Sequence, residues 1–235
     1  MKSPHVVILA AGLGSRLGTS HPKSLSPLGN GETILSRQVR LLRAHDLNVT
    51  AVVGFKKDLI IEAEPNLLFA YNPDYDRTNT AKSLLAGLRA IRGQDVLWLN
   101  GDVVFEEGLI GRVLAERSST VAVNNARVAE EEVKYTLDSN GFIAEISKSV
   151  EMPLGEAVGV NMISAEMLEE FRQALEQVGD QDYFEKAMEL LISKQGQVFR
   201  AVDVGEIGCV EVDFAEDLET ARSMMIAGKT LSSGQ

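Results

Sequence analysis

The feature that most narrows what this chain can fold into is an alternation in its first half. Short, almost wholly apolar runs are separated by segments long enough to be helices. "HVVIL", "VTAVV", "NLLFAY" and "DVLWLN" read as strands, and "TILSRQVRLLRAHD" and "TAKSLLAGLRAIR" read as helices. In the second helix Leu84, Leu85, Leu88 and Ile91 share one face, with Asn79 or Thr80 as the cap. Strands that are apolar on both sides must be covered on both sides. The alternation therefore predicts an α/β fold with a parallel sheet and helices on both faces.

After "STVAV" the pattern changes. "EVKYTLDSNGFIAEIS" predicts two strands joined at Asn140-Gly141, and "EAVGVNMIS" predicts another. Amphipathic helices are expected over Ala165–Gln177 and Phe184–Ser193, then a strand at "QVFRAV", a short apolar piece at "GCVEV" and a closing helix in "FAEDLETARSMMIAG". The second half is thus mixed β and α, with no Pro/Ser/Gly linker before it. One domain over residues 1–228 is expected, with a polar, mobile tail over residues 229–235, "KTLSSGQ".

Composition removes several classes of function. At 235 residues and 45% hydrophobic content the chain can bury one sizeable core. A net charge of −11 opposes attraction to nucleic acid or anionic membranes, so neither is expected as a partner. Cys209 is the single cysteine, which excludes an internal disulfide framework and a cysteine-rich zinc site and fits a cytoplasmic location. "HVVILAAG" could pass for the apolar part of a signal peptide, but it is short and runs straight into a Gly/Arg loop, so a buried strand is expected; no run reaches the ~20 apolar residues needed to span a bilayer.

That loop, "LAAGLGSRLG", follows the first strand, where α/β sheets bind ligands. Its glycines allow close approach to a phosphate, with backbone N–H groups as donors. It is not the dinucleotide fingerprint, because the step from Gly14 to Gly18 is one residue too long and no acidic residue ends "VTAVV". Nor is it a P-loop, since Thr19 rather than Lys follows Gly18.

"LAAGLGSRLG" followed by "PKSL" resembles the signature of the nucleotidyltransferases that activate sugar phosphates and phosphorylated alcohols. "LNGDVVF" and "EVDFAEDL" resemble that family's two metal-binding segments, so the likeness spans almost the whole chain. "YNPDYDRTNTAKSLLAGL" and the small size are most similar to the CTP-using branch that acts on phosphocholine, inositol phosphate or small phosphonates. The resemblance implies a Rossmann-like, mostly parallel sheet plus a smaller mixed β/α part that binds the acceptor. It implies Mg²⁺-dependent transfer of CMP from CTP to a small phosphate or phosphonate, with release of pyrophosphate.

By the same resemblance, Arg16 and Lys23 are the catalytic cations. Leu9, Ala10, Ala11, Gly12, Leu13, Gly14 and Ser15, with Asn79 and Ser83, hold the nucleotide, and Asp102 and Asp213 hold Mg²⁺, a hard cation suited to carboxylate oxygens. Lys134, Lys148, Asp182 and Tyr183 are candidates for the acceptor. Each has a plainer competitor. Asp102 fits a strand-terminating turn, and Asp213 fits a helix N-cap with Glu216 three residues on. Asn79 and Ser83 fit a cap and a solvated helix face, and Lys134 and Lys148 fit charges on an edge strand.

Glu130, Glu131 and Glu132 read as a loop surface or as the counter-charge for an acceptor ammonium. Phe184 reads as core or as an aromatic beside Asp182. Only 6% of residues are aromatic and Trp98 lies on a predicted buried strand, which gives thin support for a quaternary-ammonium cage. His5, His21 and His45 show no metal-ligand spacing. Two other functions stay open: a sugar-1-phosphate nucleotidyltransferase using another nucleoside triphosphate, and a non-catalytic nucleotide-binding regulatory domain.

Overall fold

The computed structural model describes residues 3–232 except positions 19, 30, 127 and 129; of Ser15, Gln195 and 226–232 it describes the backbone alone. The chain runs β1 (His5–Ala10), α1 (Ile34–Arg43), β2 (Asn48–Val53), α2 (Lys57–Ala63), β3 (Leu68–Tyr71), α3 (Thr80–Leu88), β4 (Val96–Asn100), β5 (Val103–Phe105) and α4 (Gly108–Ala115). It continues through β6 (Thr120–Asn124), β7 (Lys134–Leu137), β8 (Ile143–Ser147), β9 (Gly155–Ile163), α5 (Leu168–Gln177), α6 (Phe184–Gln195), β10 (Arg200–Asp203), β11 (Cys209–Glu211) and α7 (Ala215–Ser232). Short 3₁₀ turns at Ser15–Leu17 and Lys23–Leu25 interrupt the long connection after β1.

The main sheet has the order β10-β6-β9-β4-β1-β2-β3, and every strand of that path but β9 runs the same way. A mostly parallel sheet with helices on both faces is what the alternation predicts. Side chains of successive residues take opposite faces. Val7, Leu9, Val96 and Trp98 meet α3, α5 and α6, whereas Val6, Ile8, Leu97 and Leu99 meet α1 and α4. Trp98 lies fully buried between Phe171 at 5.2 Å and the edge of Phe184 at 5.6 Å, so Phe184 is core.

The crevice in the sheet comes from β9. Its later residues pair with β4, Val96 against Ile163 through Leu99 against Val160, and its first residues pair with β7 instead. Gly159 marks the change of partner. Its φ of +69° favours glycine, and a Cβ there would come within 2.8 Å of Asn100 Nδ2. The sheet thus parts beside the carboxyl ends of β1 and β4, where a parallel sheet leaves room for a ligand. Across the gap, β5 and β11 form a separate antiparallel pair.

Some expectations shift. The turn at Asn140-Gly141 does join β7 and β8, but β7 lies between β8 and β9, so Lys134 is not on an edge strand. Helix α7 continues through Ser232, which makes residues 229–232 of the expected tail helical; residues 233–235 lie outside the described residues. Helices α2 and α4 went unread in the sequence. Only Ile60 of α2 is buried, and α4 carries two glycines, so neither shows a long apolar stripe.

Candidate active site

The loop after β1 owes its shape to Gly14, whose φ is +62° and whose added Cβ would stand 3.0 Å from Lys23 Cβ. Glycine there lets the Pro22-Lys23 segment fold back against the loop. The N–H groups of Leu25 and Ser26 donate to the carbonyls of Pro22 and Lys23, each at 2.9 Å, which ties down the turn that carries Lys23. Asp102 sits in the turn between β4 and β5. Gln38, 1% exposed on α1, pins that turn by donating Nε2 to Asn100 O at 2.9 Å and Val103 O at 2.8 Å.

Asp213 follows β11. It does not cap α7 in the way the Glu216 spacing allows; instead, Asp217 accepts the N–H groups of Asp213 and Phe214 at 3.1 and 2.8 Å. That reversal frees the Asp213 carboxylate for the site. Lys23 Nζ donates to Asp102 Oδ2 at 2.8 Å and to Asp213 Oδ1 at 2.6 Å, and Arg16 Nη1 donates to Asp213 Oδ2 at 2.7 Å. Four side chains far apart in sequence form one chain of charge. Burial opposes the charge on Lys23, but Asp102 and Asp213 outweigh it and raise the ammonium above its ordinary range. Burial likewise works against ionised Asp213, and Lys23 and Arg16 overcome it, holding the carboxyl below its usual range.

These groups line a cavity of about 520 Å³, within the range of small-molecule sites. Of the residues singled out in the sequence, Leu9 to Gly14, Arg16, Lys23, Asn79, Ser83, Asp102, Lys148, Tyr183 and Asp213 line it. Asn79 also caps α3 by accepting Thr80 N–H, and Ser83 is buried against Asn72 at 3.1 Å rather than solvated. The Ser15 side chain lies outside the described positions.

Two acceptor candidates fall elsewhere. Asp182 accepts Gly179 N–H at 2.7 Å and shapes the loop before α6. Lys134 Nζ donates to the carbonyls of Glu130 and Lys148 at 3.0 and 3.3 Å and braces the loop beside the cavity. Neither lines the space.

Sequence reasoning missed Glu185 and Glu211. Both line the cavity, and nothing in their spacing marks them. Burial, with Asp102 next, pushes Glu211 well above the usual carboxyl range, and burial pushes Glu185 up to about 7. Among the described residues the lining holds three cationic side chains, Arg16, Lys23 and Lys148, against five carboxylates, Asp76, Asp102, Glu131, Glu132 and Asp213, besides Glu185 and Glu211. An anionic ligand entering alone would meet net repulsion, so the site calls for a cation to come with it.

The residues suit a hard divalent ion. Asp102 Oδ1 is buried with no hydrogen-bond partner, and it stands beside a second carboxylate, Asp213, across the Lys23 ammonium. Among the described residues no three His, Cys, Asp or Glu converge as a ready metal cage. Two carboxylates with the remaining positions filled by phosphate and water is the usual arrangement for Mg²⁺.

Comparison with known proteins places this geometry. The chain is 29% identical over 92% of its length to the CMP-5'-(3-aminopropyl)phosphonate synthase of Streptomyces rubellomurinus, of which it covers 38%. It is 27% identical over 93% of its length to the bifunctional IPC transferase and DIPP synthase of Rubrobacter xylanophilus, of which it covers 51%. The chain therefore spans about half or less of these relatives. Its fold matches the CTP:phosphocholine cytidylyltransferase of Streptococcus pneumoniae with a TM-score of 0.76 at 15% identity, covering 94% of this chain and 98% of that one. It matches the inositol-1-phosphate CTP transferase of T. maritima equally, at 0.76 and 14% identity over 93% and 94% of the two chains. No helix among the described residues is long and apolar enough to cross a membrane. The MobA-like NTP transferase domain matches residues 6–192, glycine loop, Lys23 and Asp102 included, and the chain belongs to that family.

Proposed function

We propose that the chain transfers CMP from CTP to a small acceptor bearing a phosphate or phosphonate, releasing pyrophosphate. The observation that carries the reading is the Arg16–Asp213–Lys23–Asp102 chain of charge beside a glycine loop at the parted end of a parallel sheet. An oxygen of the acceptor attacks the α-phosphorus of CTP. The new O–P bond forms as the bond to the β-phosphate bridging oxygen breaks, and pyrophosphate carries away that electron pair. The acceptor oxygen is already ionised near neutral pH, as phosphates with a second pKa near 6 are, so no general base is needed.

What the residues must do is bring anions together. The loop backbone from Ala11 to Gly14 presents N–H groups to the triphosphate. Lys23 holds its charge at the reacting phosphate, and Arg16 attends the departing pyrophosphate. Asp102 and Asp213 would hold Mg²⁺, which when bound neutralises phosphate charge and polarises the reacting phosphoryl group. Support for CTP and a non-sugar acceptor comes from the relatives. The phosphonate synthase aligns over 92% of the chain, whereas the bifunctional GlmU protein of Methanococcus maripaludis aligns over 68%.

The test is pyrophosphate release with CTP, UTP, GTP, ATP and dTTP in Mg²⁺, against 2-aminoethylphosphonate, 3-aminopropylphosphonate, phosphocholine, inositol phosphate and sugar-1-phosphates. CTP-dependent release with a non-sugar acceptor is expected. Release with sugar phosphates alone moves the chain to the sugar-nucleotide reaction, and nucleotide binding without turnover on any acceptor makes it a regulatory domain.

A further inference from the structure

Charge in the cavity is not evenly spread. Glu132 acts electrostatically on Glu185 and on Glu211, and Glu211 in turn feels Asp102, Asp213 and Lys23. Glu132, Glu185 and Glu211 line the cavity together with Lys23 and Asp102, and Glu185 stands in the first turn of α6. Glu185 is 7% exposed and leaves Oε2 without a hydrogen-bond partner. A buried carboxylate oxygen without a donor is costly, and burial holds the Glu185 proton on up to about pH 7 against one backbone N–H. Among the described residues the cation that acts on it is Lys148, whose ammonium rests over the Tyr183 ring at 4.7 Å.

Resting on the cytidylyl-transfer reading above, we propose that Glu185, with Glu132, forms a subsite for a protonated primary amine on the acceptor. The acceptor is then a zwitterion, with its phosphorus group at Lys23 and its ammonium at the start of α6. Such a group supplies what the site lacks, a positive charge against excess carboxylate and N–H donors for Oε2. A quaternary ammonium has no N–H to give and prefers aromatic faces. Here Tyr183 already carries Lys148, and Phe184 is edge-on to Trp98 in the core. The subsite selects primary amines by hydrogen bonding rather than quaternary ones by an aromatic cage.

The experiment measures CTP-dependent pyrophosphate release by the full chain with three acceptors: 3-aminopropylphosphonate, its N,N,N-trimethyl counterpart and butylphosphonate. In the unaltered protein kcat/KM for the primary amine should exceed that for butylphosphonate by on the order of 100-fold, with the trimethyl compound also disfavoured. Glu185→Gln should shrink the amine-to-butyl ratio to within about ten, chiefly through KM for the amine. If E185Q does not fold, Glu185→Asp, which keeps the charge but draws it back, must lower the same ratio. Turnover with no preference for the primary amine, or a preference unchanged in the variant, overturns the subsite and leaves the transfer reaction standing. An equal loss on all three acceptors marks Glu185 as structural and also overturns it. No turnover with any of them overturns the subsite, and the transfer reading is then decided by the wider acceptor panel above.

Discussion

At the scale of single residues, the site works by balancing charges that would each be costly alone. Lys23 is the centre of that balance, held by two carboxylates at 2.8 and 2.6 Å. Lys23→Ala should lower kcat by about 10²–10³-fold, the usual cost of losing one preorganised contact to developing charge, with little change in CTP affinity. Near-normal turnover would take Lys23 out of the mechanism. Gln38 acts at one remove, since it holds the turn that carries Asp102. Gln38→Leu removes the donor from both carbonyls and should cost about 1–3 kcal/mol in denaturant unfolding, with kcat falling as Asp102 loses its place. Glu185 gives a pH signature. Its folded-state pKa of about 7 stands above the ordinary 4.5, so its contribution to stability is full below pH 4.5 and is lost as pH rises through 7. Glu185→Gln should therefore match the unaltered protein near pH 4 and exceed it by up to about 3 kcal/mol at pH 8. Parallel stability curves for the two proteins across that range would refute the assignment.

At the scale of elements, stability and site come from different parts. Trp98, Phe171 and Phe184 join β4, α5 and α6 on one face of the sheet. Phe171→Ala should cost about 3–5 kcal/mol, because the rigid neighbours cannot close the hole. By contrast, Thr33→Ala should cost about 1 kcal/mol, since it removes one half of the capping box that Thr33 and Ser36 form at the start of α1. Urea unfolding of both variants checks the order. Equal losses would mean the aromatic cluster is not the rigid centre of that face.

For the whole molecule, a net charge of −11 and a carboxylate-rich cavity mean that an anionic substrate approaches against the field. Raising monovalent salt from about 20 to about 200 mM at saturating Mg²⁺ should therefore raise kcat/KM for CTP, by on the order of two-fold. A steep fall with salt would instead mark a cationic approach surface that outweighs the net charge.

The alternation of apolar runs and helical segments determined the parallel sheet and its two covered faces, because a strand apolar on both sides has no other stable place. The glycine loop, Arg16, Lys23, Asp102 and Asp213 were legible too, since a phosphate-binding loop is local chemistry and the rest resembles a known signature. Lys134 was read from where relatives place a basic residue and Asp182 from its aromatic neighbours, and backbone groups nearby claim both side chains. Only the folded chain could bring Glu185 and Glu211 to the cavity, because β9 changes partner at Gly159 and opens the sheet there. Which carboxylate is buried and left unpaired depends on that long-range pairing, and no local pattern of residues encodes it.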